Sequence, residues 1–102
     1  FKERAGYEPK TGDVFGYVAT YMMADAITRA GGSTDTETLI QALRGGQFNT
    51  LLGDVMVRDF DGQSTFGHYT GMTYTNPSYP FKRLKDVVRG EGTEILHSKS
   101  LC

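Results

Sequence analysis

Gly16-Tyr17-Val18-Ala19-Thr20-Tyr21-Met22-Met23-Ala24-Asp25-Ala26-Ile27-Thr28-Arg29-Ala30-Gly31 is the stretch from which the rest of this 102-residue chain can be read. Apolar residues recur at Val14, Tyr17, Val18, Tyr21, Met22 and Ile27, with Ala19, Ala24, Ala26 and Ala30 between them. Spacings of three and four residues place these side chains on one face of a helix. A face so rich in small residues predicts a long helix that packs closely on a sheet or another helix. Asp13 is its expected N-cap, because a carboxylate there can accept a free backbone N–H. Gly31-Gly32 should end it. Tyr17 and Tyr21 stand one turn apart, a spacing that suits a core stripe or a ligand wall; the core is the expectation.

Upstream, Glu8-Pro9-Lys10-Thr11-Gly12 is a loop punctuated by Pro and Gly. Phe1 to Tyr7 reads as the last turn of a helix begun earlier and ended by Gly6. Downstream, Thr34-Asp35-Thr36-Glu37 has the form of a capping box. A short helix is expected from there to about Arg44, with Leu39, Ile40 and Leu43 inward and Gly45-Gly46 closing it. The period then changes. Asp54 to Val57 is a strand candidate entered through Gly53. Asp59-Phe60-Asp61-Gly62 is a turn, with Gly62 suited to positive φ. His68 to Thr75 alternates with period two, so a hairpin around that turn is expected. Asn76-Pro77-Ser78-Tyr79-Pro80 is a loop whose prolines forbid regular pairing. Phe81 to Val88 is the last strand candidate.

Length allows one domain at most. Basic and acidic side chains nearly balance, for a net charge of −1, which points to neither nucleic acid nor an anionic membrane as partner. No apolar run approaches the roughly 18 residues of a membrane span. Cys102 is the single cysteine, so no disulfide can form within these residues.

The chemistry of a catalyst is missing from the pattern. His68 and His97 are far apart and have no cysteine near them, so no zinc spacing is present. Asp59, Asp61 and Gly62 faintly resemble a calcium loop, but the position that should carry the closing Glu is His68; a surface turn is expected instead. No phosphate loop and no nucleophile elbow occurs. The expectation is therefore a protein without catalytic residues, metal or cofactor. The start of the long helix, Asp13-Val14-Phe15, is the candidate ligand-binding neighbourhood, since a helix N-terminus presents free N–H groups and Phe15 adds an aromatic wall.

The run from Gly16 to Gly31 resembles the long helix of the leucine/isoleucine/valine-binding protein family: a tyrosine, small residues, an apolar pair, Ala-x-Ala-Ile and a closing Ala-Gly. Leu39 to Arg44, and then Phe48-Asn49-Thr50-Leu51-Leu52-Gly53-Asp54-Val55-Met56-Val57, are similar to the part that follows, with its Phe-x-Thr-x-x-Gly-x-Val form. Asp59-Phe60-Asp61-Gly62-Gln63, Tyr69 to Thr75, and Lys85-Asp86-Val87-Val88 with Gly90-Glu91 resemble the family's next turn, strand and last strand.

The resemblance covers roughly Phe1 to Glu91 and rests on the order and spacing of these pieces. It implies an α/β chain, the C-terminal portion of a two-lobe type I periplasmic-binding fold in the order helix, helix, strand, hairpin, strand. Residues 1–102 would be one partial domain. Its helical part, 1–53, would belong to the first lobe, and its strand-rich part, 54–102, would include the hinge crossing. The implied function is the solute-binding component of an ABC transporter in the periplasm or outside the cell. It would capture an amino acid or similar small molecule by cleft closure and present it to a membrane permease. The family places a ligand-facing side chain near the start of the long helix, which selects Asp13, Val14 and above all Phe15. The rival expectation is a free-standing truncated domain that works by self-association, as a homodimer, without binding solute.

Overall fold

Four helices and two antiparallel hairpins make up residues 1–101, the part described by the computed structural model. Cys102, and any pairing expected of it, lies outside the described residues. Helix α1 (Lys2–Ala5) is one turn, closed by Gly6 in the left-handed conformation at φ 79°. That left-handed cap is where a Cβ would be penalised.

The long helix α2 spans Thr11–Arg29. Its N-cap is Lys10, not Asp13. Asp13 sits one turn in, and its Oδ2 accepts the Lys10 backbone N–H at 2.9 Å. An acid there satisfies an otherwise free donor and complements the helix dipole. Val18, Met22 and Ala26, each four residues apart, are the buried stripe of α2. They meet Phe48, Val55 and Val57, with Leu43, Leu52 and Phe66 packed around the edge. Arg29 fastens the end of the helix. Its Nη2 donates to Asp25 Oδ2 at 2.7 Å and to the Gln47 carbonyl at 2.6 Å, and its guanidinium lies 4.3 Å from the Phe48 ring centre.

Helix α3 spans Thr36–Leu43 and is capped by Asp35 rather than Thr34. Asp35 Oδ2 accepts the Thr38 backbone N–H at 3.0 Å and the Thr38 hydroxyl at 2.8 Å. A carboxylate outcompetes the neighbouring hydroxyl because both bonds are charge-assisted. Those bonds hold the Asp35 carboxyl below its ordinary range, the backbone bond first. A lowered pKa in the folded state contributes stability that is full above the unfolded value, near 4, and is lost as pH falls through the folded value. Asp35→Asn is therefore expected to lower the melting temperature at pH 7 but to differ less from wild type at pH 2–3. Thermal melts followed by circular dichroism at the two pH values check this.

Strands β1 (Gln47–Thr50) and β2 (Gly53–Met56) form a hairpin with Phe48 opposite Val55. Leu51-Leu52 is its two-residue turn, with Gly53 at φ 96°. The expected turn at Asp59–Gly62 is present, with Gly62 at φ 72° and Arg58 N–H donating to the Gln63 carbonyl at 2.8 Å. The hairpin expected around it is not. The two segments pair only briefly, through the bridge between Val57 and Ser64 and the Thr65 N–H donating to the Met56 carbonyl at 2.9 Å. Strand β3 (His68–Tyr74) pairs instead with β4 (Arg83–Gly90) across the loop 75–82. The chain diverges at Gly67, where a Cβ would stand 2.9 Å from the Arg89 side chain and 3.0 Å from the Gly90 carbonyl oxygen. A bulge follows Thr70, which faces Val88, while Met72 faces Lys85. Within it Asp86 has φ 51°.

Neither β3 nor β4 has a buried residue. Met72 and Val88 are 62% and 68% exposed. The radius of gyration is 16.8 Å, against about 13 Å for a compact chain of this length. The ribbon therefore projects from the small core without a layer to cover it. Helix α4 (Gly92–Ile95) returns the chain to the core, where Gly92 is buried against the backbone of Thr65 and Phe66. A 3-10 turn at Lys99–Leu101 follows.

Candidate functional site

The first turn of α2 fans its side chains out, because successive helical residues are about 100° apart. Asp13 and Val14 line one groove, of about 660 Å³, with Phe1, Arg4, Pro9, Tyr17 and Leu51. Phe15 lines another on the far side, of about 340 Å³, with Met22, Met23, Ser64 and Phe66. It meets Phe66 edge to face, 5.4 Å between ring centres. The three expected residues are thus neighbours in sequence but not one surface.

Asp13 holds the preceding loop in place as well as the helix end. The Tyr7 hydroxyl donates to its Oδ1 at 3.1 Å, and that bond to a carboxylate raises the phenol pKa above its ordinary value. Tyr7 in turn meets Phe1 edge to face, and Lys2 pairs with Glu8 across the same turn.

Tyr17 and Tyr21 are not core residues. They are 47% and 62% exposed and lie against each other, 4.5 Å between ring centres. The hydrogen bond with Tyr21 raises the Tyr17 pKa, so the Tyr17 phenol stays protonated at neutral pH. With Asp25, Phe48, Asn49, Thr50 and Leu51 they border a third groove of about 380 Å³. Leu51 reaches this face because it occupies the hairpin turn, where it is 69% exposed. Periodicity showed that the two tyrosines share a helix face, but that same face carries Val18 and Met22, and only the packing reveals which flank the core covers.

A second polar centre gathers on Arg58. It pairs with Asp61, and its Nη1 donates to the His97 carbonyl at 2.6 Å. Its guanidinium sits 4.5 Å from the Phe60 ring centre. For Asp61, partial burial alone would raise the carboxyl pKa. The Gln63 backbone N–H and the charge and hydrogen bond of Arg58 outweigh it, and the net direction is down. This cluster staples the chain's last described residues onto the Asp59–Gly62 turn. It is an architectural junction.

Among the described residues no group of three or more His, Cys, Asp or Glu side chains could hold a metal ion, and no helix is long and apolar enough to cross a membrane. Open apolar grooves bordered by a few hydroxyls, amides and carboxylates have the make-up of small-molecule sites.

A family model described as periplasmic binding protein matches residues 1–74. Among solved structures, an ABC-type branched-chain amino acid transporter from Rhodopseudomonas palustris is similar, with a TM-score of 0.79 and 28% sequence identity. The match covers 91% of this chain and 25% of that one, so this chain spans about a quarter of that protein's length. No curated protein matches.

Proposed function

Because the chain belongs to the periplasmic binding protein family, we propose that it is the C-terminal portion of an extracytoplasmic solute-binding component of an ABC transporter. The whole protein would capture an amino acid or similar small molecule between two lobes that close on it, in the periplasm, and deliver it to a membrane permease. Residues 1–53 would belong to the first lobe, with β2 still paired to β1. Residues 54–102 would carry the strand-rich part that includes the hinge crossing.

The observation that carries this is the structural match over 91% of the chain at a TM-score of 0.79. The open side of the molecule agrees with it. Tyr17 and Tyr21 on α2, and Tyr69, Met72, Leu84, Val87 and Val88 on the β3–β4 ribbon, are exposed apolar side chains of the kind that other parts of a larger protein cover. No observation favours a free-standing, self-associating domain, and none points to a catalytic role.

Within this proposal Asp13, Val14 and Phe15 serve the solute site in different ways. Asp13 sets the loop and the first turn. Val14 shapes the groove shared with Tyr17. Phe15, 38% exposed beside Phe66, offers an aromatic wall to an apolar side chain. The test is solution scattering from the full-length protein with and without saturating solute. Closure predicts a smaller radius of gyration when solute is bound. An unchanged radius in a protein shown to bind would remove lobe closure. Phe15→Ala is expected to weaken binding on the order of tenfold and to lower the melting temperature of the solute-free protein slightly, because its edge-to-face contact with Phe66 is lost.

A further inference from the structure

The chain leaves the core for the β3–β4 ribbon and returns from it side by side, with His68 opposite Gly90 and Tyr69 opposite Arg89. Both crossings are anchored on the core side. The Thr65 N–H donates to the Met56 carbonyl at 2.9 Å, and Gly92 is buried against the Thr65 and Phe66 backbone. Beyond the anchors neither strand buries a residue. Within this chain, the direction of the ribbon is therefore set between Gly67 and His68 on the way out and between Arg89 and Gly92 on the way back.

One side chain spans this junction. Arg89 Nη2, Nη1 and Cζ lie 3.3, 3.5 and 3.8 Å from the point where a Cβ on Gly53 would stand, and its Nε lies 2.9 Å from the same point on Gly67. Gly53 belongs to the core hairpin, Gly67 to the outgoing crossing and Arg89 to the returning strand. The flat guanidinium thus sits on two bare stretches of backbone. Glu91 Oε1 pairs with its Nε at 3.3 Å, and the Tyr69 ring centre is 5.9 Å from its Cζ. The backbone of Gly67 is not left-handed, so what excludes a side chain there is Arg89 and the Gly90 carbonyl. Gly90 differs: its φ is ordinary and nothing stands within 4 Å of a Cβ placed on it. Glycine in a strand costs about 0.5–1 kcal/mol against alanine, and what it supplies at this position is a backbone free to turn.

We propose that Arg89 is a positioning residue of the hinge: its guanidinium, seated between Gly53 and Gly67, sets the angle at which the ribbon leaves the core, and the ribbon turns about Gly67 and Gly90. This role rests on the lobe closure proposed above. Turning at those glycines cannot leave the guanidinium in place, because Arg89 moves with the ribbon while Gly53 stays with the core. Each angle therefore has its own contact with Gly53, and that difference biases the open–closed equilibrium. Every contact in the junction is made among residues 53–91 of this chain, whatever other parts of the full-length protein lie against the ribbon. A turn of about 10° at the base moves the far end of a strand roughly 24 Å long, at about 3.4 Å per residue, by about 4 Å.

The test measures the distance between spin labels on the full-length protein, one at Glu37→Cys in α3 and one at Ser78→Cys in the loop 75–82, with all other cysteines replaced by serine. It is run without solute and with saturating leucine, isoleucine or valine. Arg89→Ala is expected to displace the solute-free distance by several ångströms, on the scale of the lever above. Arg89→Lys keeps the charge but not the flat guanidinium and should displace it nearly as far. Glu91→Gln removes only an exposed ion pair and should leave it in place. The Kd should change with the distance, by about threefold or more: tighter where the solute-free distance shifts toward the bound one, weaker where it shifts away. If Arg89→Ala fails to fold, Arg89→Lys decides. A wild-type distance in the folded Arg89 variants, or a displaced distance with Kd unchanged within about twofold, would overturn the role of Arg89 and leave lobe closure standing. A wild-type distance that none of the three amino acids changes marks the failure of lobe closure itself, and the hinge role falls with it.

Discussion

Phe48→Ala is expected to destabilise the full-length protein by about 3–5 kcal/mol. Phe48 is 1% exposed and is the largest fully buried side chain among the described residues. It stands opposite Val55 in the first hairpin, against the Val18 and Met22 stripe of α2, with Arg29 over its ring. The surroundings have little freedom to close a cavity. A Cβ placed on Gly46 would already meet Phe48 Cε2 at 2.9 Å, which shows that backbone is drawn tight around the ring. Removing the ring therefore loses its transfer free energy and leaves most of the hole. The cation–π contact of Arg29 goes with it. Urea unfolding followed by far-ultraviolet circular dichroism should show a much lower midpoint, with Phe48→Leu recovering part of the loss. A change below about 1 kcal/mol, the size of an ordinary surface effect, would mean that Phe48 does not organise this core.

Gly92→Ala is the second large effect. An added Cβ would lie 2.4 Å from both the Thr65 carbonyl carbon and oxygen, and 2.7 Å from the Phe66 carbonyl oxygen. These are backbone atoms and cannot rotate aside. The cost is expected at the upper end of the 1–3 kcal/mol typical of overpacking. The displacement should be local first: α4 lifts from residues 65–66, and the segment that Arg58 holds through the His97 carbonyl loosens. Hydrogen exchange of residues 91–97 should rise in the variant. Gly16→Ala is the control, because nothing stands within 4 Å of a Cβ there and alanine is the better helix residue by about 0.5–1 kcal/mol. Its melting temperature should rise slightly while that of Gly92→Ala falls. Two variants moving together would show that the close approach at Gly92 is not real.

Helix α2 could be read from the sequence because its pattern is long. Nineteen residues leave room for several repeats of the helical period, whereas the α/β class was implied by the resemblance to the binding-protein family. Its exact start could not be read, because a carboxylate can serve a helix end from the cap itself or from one turn inside. The same near-equivalence moved the cap of α3 from Thr34 to Asp35.

Strand β1 was invisible for a different reason. Gln47-Phe48-Asn49-Thr50 carries a single large apolar residue, too few to define a period of two. The partner of β3 was also beyond local reasoning, since the Asp59–Gly62 turn is formed as expected and yet the strand pairs with a segment further on. Pairing is decided by where Gly67 and Gly90–Gly92 let backbones approach, and that is a property of the assembled fold. The exposed Tyr17 and Tyr21 teach the same lesson at the site. Helical spacing groups side chains by face, but what covers a face is set by chain outside the helix.

Calorimetric titration of the full-length protein with individual amino acids, starting with those that have branched apolar side chains, tests solute capture most directly. The account predicts saturable one-to-one binding of at least one such solute, with a negative heat-capacity change from buried apolar surface, and weaker binding by Phe15→Ala. A folded full-length protein that binds no amino acid or similar small solute at millimolar concentration would contradict it.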